Sequence, residues 1–591
     1  MVLTAFPYIY PLFLTHYFIF MMKKHLITFS ILLVTFFASA QGTYIPIGSE
    51  TNNYLQRLEI KTGLVNQFHT SNKPYDRKMA IDYINGIDSL SDMDSDDLTE
   101  MDKKNISYIY KDNFEFDDEH TELPENPKLK FLFTHPAHLL SVKIPHFAVS
   151  VDPAIQIRLG GSLVDEKNSK FKYLTSKGFE VRGQVDDIFG FYALFLSEQG
   201  TFPNYVDDYT RTSRTPPGAG YWKDYKKGGY DYFLAKGYVT ITPSKHFHVQ
   251  FGYDNNFIGD GIRSMFLSDF GANYLFLKLN TNVWKINYQN IFAELTKFYP
   301  HAADGLLTKK YMAAHHLSIN ITKNVNIGVF ESVMFRRENT FELQYLNPII
   351  FYRSIEQALG SPDNALLGFD FKINIPKHVQ IYGQFLLDEF NFSKEFKAPP
   401  GKGKLYGITH PNRWWGNKFG AQLGIKYIDA FGIDHLDLQL EGNVARPYTY
   451  SHYDTVSSWT HYNQPLAHPL GANFTELIFQ AKYQPIQKLF LSTRFIYAKK
   501  GEDDSLNYGG NPLKDYDLGK ASEFGNRIGQ GVTSRTFYLD FVATYEPWHN
   551  IFVDFTYTYR KKKSEDVVRN MQTHFVNLNL RWSIPYRRYD F

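Results

Sequence analysis

The chain has 591 residues with 63 basic and 61 acidic groups, a near-neutral balance that excludes the cationic surface nucleic acid requires. It contains no cysteine, which excludes disulfides, thiolate metal sites and cysteine nucleophiles. Aromatic residues form 17 % of it, yet mean hydropathy is −0.35 and no apolar run after residue 40 is as long as a transmembrane helix, so any membrane-spanning part must use strands with one oily face.

Met22–Ala40, "MKKHLITFSILLVTFFASA", carries Lys23 and Lys24, an apolar core and a small-residue end at Ala38-Ser39-Ala40. That is the pattern of a secretory signal peptide, with cleavage expected before Gln41. Residues 1–21 read as upstream sequence from a misplaced start, the alternative being one long uncleaved anchor. Taking Lys23 and Lys24 from the 63 basic residues leaves 61, against 61 acidic, in the mature chain.

Residues 41–126 show helical spacing. "SETNNYLQRLEIKTG" has Ser49 as a cap, Gly63 as a stop, and Tyr54, Leu55 and Leu58 on one face. "KPYDRKMAIDYINGI" places Pro74 in a first turn and aligns Tyr75, Met79, Tyr83 and Ile84. "SDDLTEMDKKNISYIY" has acids early and lysines later, matching the helix dipole. Three short helices are expected, forming a periplasmic bundle or plug, followed by the acidic linker "DDEHTELPEN".

From about residue 140 the period becomes two. In "NIFVDFTYTYRKKK", Ile551, Val553, Phe555, Tyr557 and Tyr559 alternate with Asp554, Thr556, Thr558 and Arg560. "GFDFKINIP", "DHLDLQLEG" and "THFVNLNLRWSIP" behave alike. Ile551, Val553 and Phe555 are expected to face lipid, Tyr557 and Tyr559 the headgroups, and the polar set the lumen. About 18 such strands are legible, starting near residues 145, 177, 187, 228, 246, 273, 283, 311, 325, 366, 378, 417, 433, 472, 487, 534, 548 and 573. Short turns such as "TKNVN" and "EPWHN" alternate with long connections at 200–227, 256–272, 335–365, 389–416, 445–471 and 500–533. The expected fold is all-β: an antiparallel transmembrane β-barrel of about 18 strands over 127–591, with a small N-terminal helical plug. An even strand number puts both termini in the periplasm. Phe591 reads as the terminal aromatic of an outer-membrane barrel.

Three connections carry candidate chemistry. Ala445–Glu476 offers Tyr448, Tyr450, His452, Tyr453, Trp459, His461, Tyr462 and His468, rings and hydrogen-bonding groups that suit sugars or simply pack the loop. Gln344–Gly368 is too apolar for a solvated loop and is expected either to fold inward as a short helix, narrowing the lumen with Tyr352, Arg353 and Glu356, or to pack outside the barrel. "YDNNFIGDGIRSMF", Tyr253–Phe266, reads as a tight loop, because the lysine and hydroxyl of a phosphate loop are absent. Trp414 and Trp415 read as aromatic belt. His315 and His316 point to opposite strand faces and cannot share an ion. Ser451-His452 lacks a nucleophile elbow. No catalytic residue, metal site or cofactor is expected.

"RPYTYSHYD", "NQPLAHPLGANFTE", "LQYLNPIIFYRSIEQALGSPDNALLG" and "GYDNNFIGDGIRSMFLSDFGANY" together resemble the capsule-assembly Wzi family of outer-membrane proteins, and within it the Bacteroidetes gliding-motility (RemB) branch. The resemblance covers nearly the whole mature chain. It implies an 18-stranded barrel closed at its periplasmic end by a helical bundle, and a non-catalytic surface lectin. The long aromatic outer loops and the acidic linker depart from the capsule-type members. Expected partners are outer-membrane lipid, a surface polysaccharide or adhesin, and a further protein through the N-terminal helices. The alternatives are a diffusion pore and, less favoured, an outer-membrane hydrolase.

Overall fold

The computed structural model describes residues 42–591 except 65–67, 88–97, 118–132, 165–170, 187, 302–304, 338–339, 350, 362 and 399. The expected signal peptide, the expected upstream segment and most of the acidic linker lie outside the described residues.

Alternating side chains build long strands in chain order. These are β1 (Phe147–Ser162), β2 (Phe171–Val185), β3 (Phe189–Gly200), β4 (Gly229–Ser244), β5 (Phe247–Asp254) and β6 (Tyr274–Val283). Next come β7 (Ile286–His301), β8 (Leu307–Thr322), β9 (Val325–Phe335), β10 (Asn364–Ile375), β11 (Val379–Glu389) and β12 (Lys418–Tyr427). The last six are β13 (Leu436–Ala445), β14 (Phe474–Ile486), β15 (Leu489–Glu502), β16 (Val532–Trp548), β17 (Ile551–Ser564) and β18 (Met571–Trp582). Each pairs antiparallel with its neighbours, and β18 returns to β1 through pairs such as Leu578↔Leu159, closing the ring. Short strands at Leu140–Ile144 and Trp222–Tyr225 only flank β1 and β4, so the barrel has 18 staves. The largest offset from the expected starts is at β2, Phe171 against 177.

The wall is inside out relative to a soluble protein. On β17, Val553 and Phe555 are 41 % and 43 % exposed, while Asp554, Thr556 and Thr558 are buried in the lumen. On β10, Phe369, Ile373 and Ile375 face out, and Asp370, Lys372 and Asn374 face in. Ile551, expected at lipid, is covered, because Trp548 and Trp582 flank it in register beside the turn. Inward charge requires partners: Asp554 accepts from Arg581 Nε at 2.7 Å, Asn579 Nδ2 at 2.8 Å and Thr544 Oγ1 at 2.7 Å.

Three helices stop the short-turn end: α1 (Glu50–Thr62), α2 (Arg77–Ile87) and α3 (Glu100–Asp112). Their apolar stripes bury one another through Tyr54, Leu55, Leu58, Ile81, Tyr83, Ile84 and Ile109. Thr99 and Asp102 form a reciprocal capping box on α3. Pro74 is not in the first turn of α2. Tyr75–Asp76 instead pairs with Tyr44–Ile45, and Asp76 Oδ1 accepts from Met79 N at 2.9 Å, so the helix starts at Arg77.

The terminal aromatic does not end a strand. After Trp582 the chain turns back into the lumen, Arg588 pairs with Asp540 at 2.7 Å, and the Phe591 ring packs 4.6 Å from Tyr209 and 5.6 Å from Phe270.

Removing one partner of a buried ion pair strands the other. Asp554→Ala is expected to lower unfolding free energy by about 3–5 kcal/mol, measured as a urea midpoint in detergent, with Asp554→Asn costing less because it still accepts hydrogen bonds.

Candidate functional site

A ring of 18 staves is wide enough to leave a channel unless something fills it. Here three segments enter the lumen: the helical plug with its connector, the connection between β5 and β6, and the C-terminal tail.

Asn72–Lys73 of the plug connector pairs as a short strand with Phe257–Ile258 of the β5–β6 connection, so elements from opposite ends meet inside the barrel. Ser71 donates to Asp260 at 2.7 Å, and the wall residue Lys372 reaches Asp260 at 3.1 Å and Glu59 at 3.0 Å. His316 bridges Asn72 and the wall's Asp370 at 2.9 Å each. The β5–β6 backbone is held by Glu441, which accepts from Ile262 N at 2.6 Å and Arg263 N at 3.1 Å. A Cβ on Gly261 would lie 2.5 Å from that carboxylate, so the close approach requires glycine. Arg263 then pairs with Glu476 at 3.3 Å and with Asp590 of the tail at 2.9 Å. The expected tight loop is thus a lumen plug.

At the plug's base, Arg57 pairs with Asp429 at 2.7 Å and with Asp437, and Lys61 pairs with Asp429 at 2.9 Å. Burial alone would raise the Asp102 carboxyl; the His435 hydrogen bond and the Lys61 and Arg57 charges overcome it and hold the group well below the usual carboxylate range. Between α1, the tail and β12–β16 lies a cavity of about 460 Å³, lined by Arg57, Lys426, Lys482, Arg494, Arg588 and Asp590 among others.

The outer end is sealed by apolar packing. Met265, Phe266 and Leu267 join Phe330 and Met334 of β9 and Trp459 and Leu466 of the β13–β14 connection in one core. The rings of Phe266 and Phe330 stack at 4.8 Å. The sugar-binding candidates are built into this seal or beside it. Tyr450 donates to Met265 O at 2.7 Å, Trp459 Nε1 to Phe266 O at 2.9 Å, and Tyr448 to Asn507 O at 2.6 Å. His468 Nε2 lies 2.7 Å from Glu476. His461 accepts from Thr296 N at 2.9 Å and donates to Asn273 O at 3.0 Å. His452 is buried against Tyr453 and Tyr516, and Ser451 donates to Tyr448 O rather than to His452.

Gln344–Gly368 does not fold inward. Its helix, α4 (Tyr352–Leu359), packs Tyr352 and Ile355 on the outward residues Phe292, Ala313 and Val333. Tyr352 and Glu356 are buried there, and the Arg353 side chain is exposed and paired with Glu356. Trp414 and Trp415 are not belt either: they are buried with Tyr448 and the half-buried Tyr516.

In the β13–β14 connection Tyr453 remains 40 % exposed, and the half-buried Tyr516 lies beside it. Their centroids are 6.2 Å apart, with Trp415 4.8 Å from Tyr516, and the Lys418 ammonium 4.8 Å from the Tyr516 ring centre. Tyr516 was invisible to sequence reading, which saw 500–533 only as a long connection. Among the described residues no three His, Asp or Glu side chains converge on a metal-sized site.

Burial pushes the His461 imidazole down from 6.5 to about 3. The unfolded histidine therefore takes its proton first, and the outer seal is fully stable above about pH 6.5 and weakens as pH falls toward 3. Protease resistance of the 445–473 connection is expected to drop between pH 7 and pH 5 by about 2 kcal/mol more in the parent than in His461→Gln, which lacks the proton acceptor.

No family model and no curated protein matches the chain. Among solved structures, Wzi from Escherichia coli, described as an outer-membrane, carbohydrate-binding β-barrel involved in group 1 capsule assembly, aligns with 93 % of this chain and 100 % of its own at 11 % identity, TM-score 0.54. OccK8 (OprE) and OprD of Pseudomonas aeruginosa each align over 73 % of this chain, with TM-scores of 0.40 and 0.38 and identities of 7 % and 11 %. The likeness to Wzi is one of fold.

Proposed function

We propose that the chain is a plugged, non-catalytic barrel of the Gram-negative outer membrane whose outer loops hold surface polysaccharide. The observation that carries this reading is the combination of an apolar belt outside with a lumen occupied by the chain's own segments. The belt calls for lipid, and the occupied lumen disfavours a diffusion pore. The full-length fold likeness to a barrel described as carbohydrate-binding supports the choice of ligand class. In this reading the short turns, the plug and the tail's entry face the periplasm, and the long connections face outward. The exposed plug residues Asp82, Glu100, Lys103 and Lys104 are then open to a periplasmic partner. The resemblance to the gliding-motility branch makes surface adhesion the narrower form of the same role.

The ligand platform is the Tyr453–Tyr516 pair, set edge to face at 70°, so that a single ring face is offered to the apolar face of a pyranose. The buried Tyr448 packs on Trp415, which supports Tyr516. The double variant Tyr453→Ala/Tyr516→Ala is expected to bind cell-surface polysaccharide at least about tenfold more weakly while still folded, with a lowered unfolding midpoint because Tyr516 also packs on Trp415; unchanged binding removes the platform. In planar bilayers the parent protein is expected to stay electrically silent, and steady channel-sized steps would favour the pore instead.

A further inference from the structure

The connection between β9 and β10 descends the outer wall, and the wall beneath it is unusual. Leu279, Asn290, His315, Glu331 and Leu367 pair in register across β6–β10 as one outward-facing row. A glutamate at mid-wall would meet hydrocarbon if uncovered, at a cost of several kcal/mol by the order of magnitude for buried charge. The arm covers it. Glu331 accepts from Tyr352 N at 3.0 Å and Arg353 N at 3.1 Å, the first amides of α4, and from His315 Nε2 at 2.9 Å. The His315 ring stacks on Tyr352 at 4.4 Å, and its Nδ1 lies 3.1 Å from the Tyr288 hydroxyl, which itself donates to Pro348 O. Ala313, small and outward, leaves the room that Tyr352 and Ile355 occupy.

The arm's far side carries large apolar side chains between exposed polar residues at Gln344, Asn347 and Arg353. Leu343, Ile349 and Phe351 are 73 %, 84 % and 66 % exposed, and Leu346 also lies open. The Pro348 contact fixes the depth of the adjoining Ile349. Tyr288 lies in the row Tyr288–Leu317–Val329–Phe369, and Val329 and Phe369 belong to the exposed apolar belt.

We infer that this arm is a lipid-embedded element: Leu343, Leu346, Ile349 and Phe351 contact acyl chains of the outer leaflet while its inner side shields the Asn290–His315–Glu331 patch. The occupant follows from continuity, since the arm's large apolar side chains extend the belt at the same level. The inference rests on the membrane reading of the barrel, and the test separates the two.

The chain has no cysteine, so single labels are clean. Nitroxides at Ile349→Cys, at Leu578→Cys in the belt and at Ser505→Cys in an exposed outer connection are compared in proteoliposomes. Collision with oxygen reports lipid, and collision with a water-soluble nickel chelate reports solvent. Ile349→Cys is expected to match Leu578→Cys. If it matches Ser505→Cys while Leu578→Cys reports lipid, the arm lies in water and the inference fails. If it is shielded from both reagents, a second copy covers the arm and the inference also fails. If Leu578→Cys itself reports water, the membrane reading falls with it. In the Ile349→Cys background, Glu331→Gln weakens the clamp, and the label is expected to gain mobility; an unchanged spectrum overturns the assignment of Glu331 as the residue that seats the arm.

Discussion

Everything in this molecule depends on β18 hydrogen-bonding to β1. Until that seam closes, β1 and β18 each leave a row of unpaired amides and carbonyls that hydrocarbon cannot satisfy. Once it closes, Leu578 lies beside Leu159 on the outside and Asn579 beside Arg158 on the inside. The period of two in the sequence then becomes a division between two solvents. A one-residue slip anywhere would exchange the belt for the lumen's charges, so register is strongly specified by the same alternation that makes the strands legible.

Closure at this width creates a second problem, a hollow that must be filled or flooded. The fillers arrive from distant parts of the chain and are tied by charge rather than by one continuous apolar core. Lys372 on the wall holds Glu59 of the plug and Asp260 of the β5–β6 connection together, and Arg263 holds Glu476 of the wall and Asp590 of the tail. Such pairs are worth little in open water, but among buried groups in a filled lumen an unpaired member is costly, so they act as specificity elements for which segment sits where. Toward the outer rim the logic changes to apolar packing around Phe266, Phe330 and Trp459, because there the inward wall residues are themselves apolar.

This division explains what could be read from the sequence. Strand positions were legible because each depends on local alternation; the helices were legible because their stripes and caps are local too. The destinations of the connections were not. Residues 253–266 read as a tight loop because nothing nearby announces that Glu441, about 180 residues on, holds their amides. The arm before β10 was expected inside or packed on the outside, with inside set by its apolar content; the decisive partner is an outward Glu331 that breaks its strand's pattern, the one local signal that could have pointed there. Tyr450 and Tyr453 are three residues apart, yet one donates to Met265 O in the core and the other lies at the surface. No periodicity distinguishes them, because what buries Tyr450 is tertiary.

The outer connections use the lumen wall as their hydrophobic core. Loops on an open pore must either pack on themselves or pay conformational entropy when a ligand arrives. Here Tyr448 is bonded to Asn507 O and packed on Trp415, and Trp415 in turn supports Tyr516, so the exposed rings are already ordered before any ligand binds. A wide cylinder filled by its own segments suits such an arrangement, because width supplies both the perimeter for six long connections and the interior against which they set. The same reasoning applies at the flank, where the arm over Glu331 is held by fixed hydrogen bonds rather than by its own apolar content. Filling the lumen and covering the wall therefore leave the outer rim and the apolar outer face as the surfaces this barrel presents.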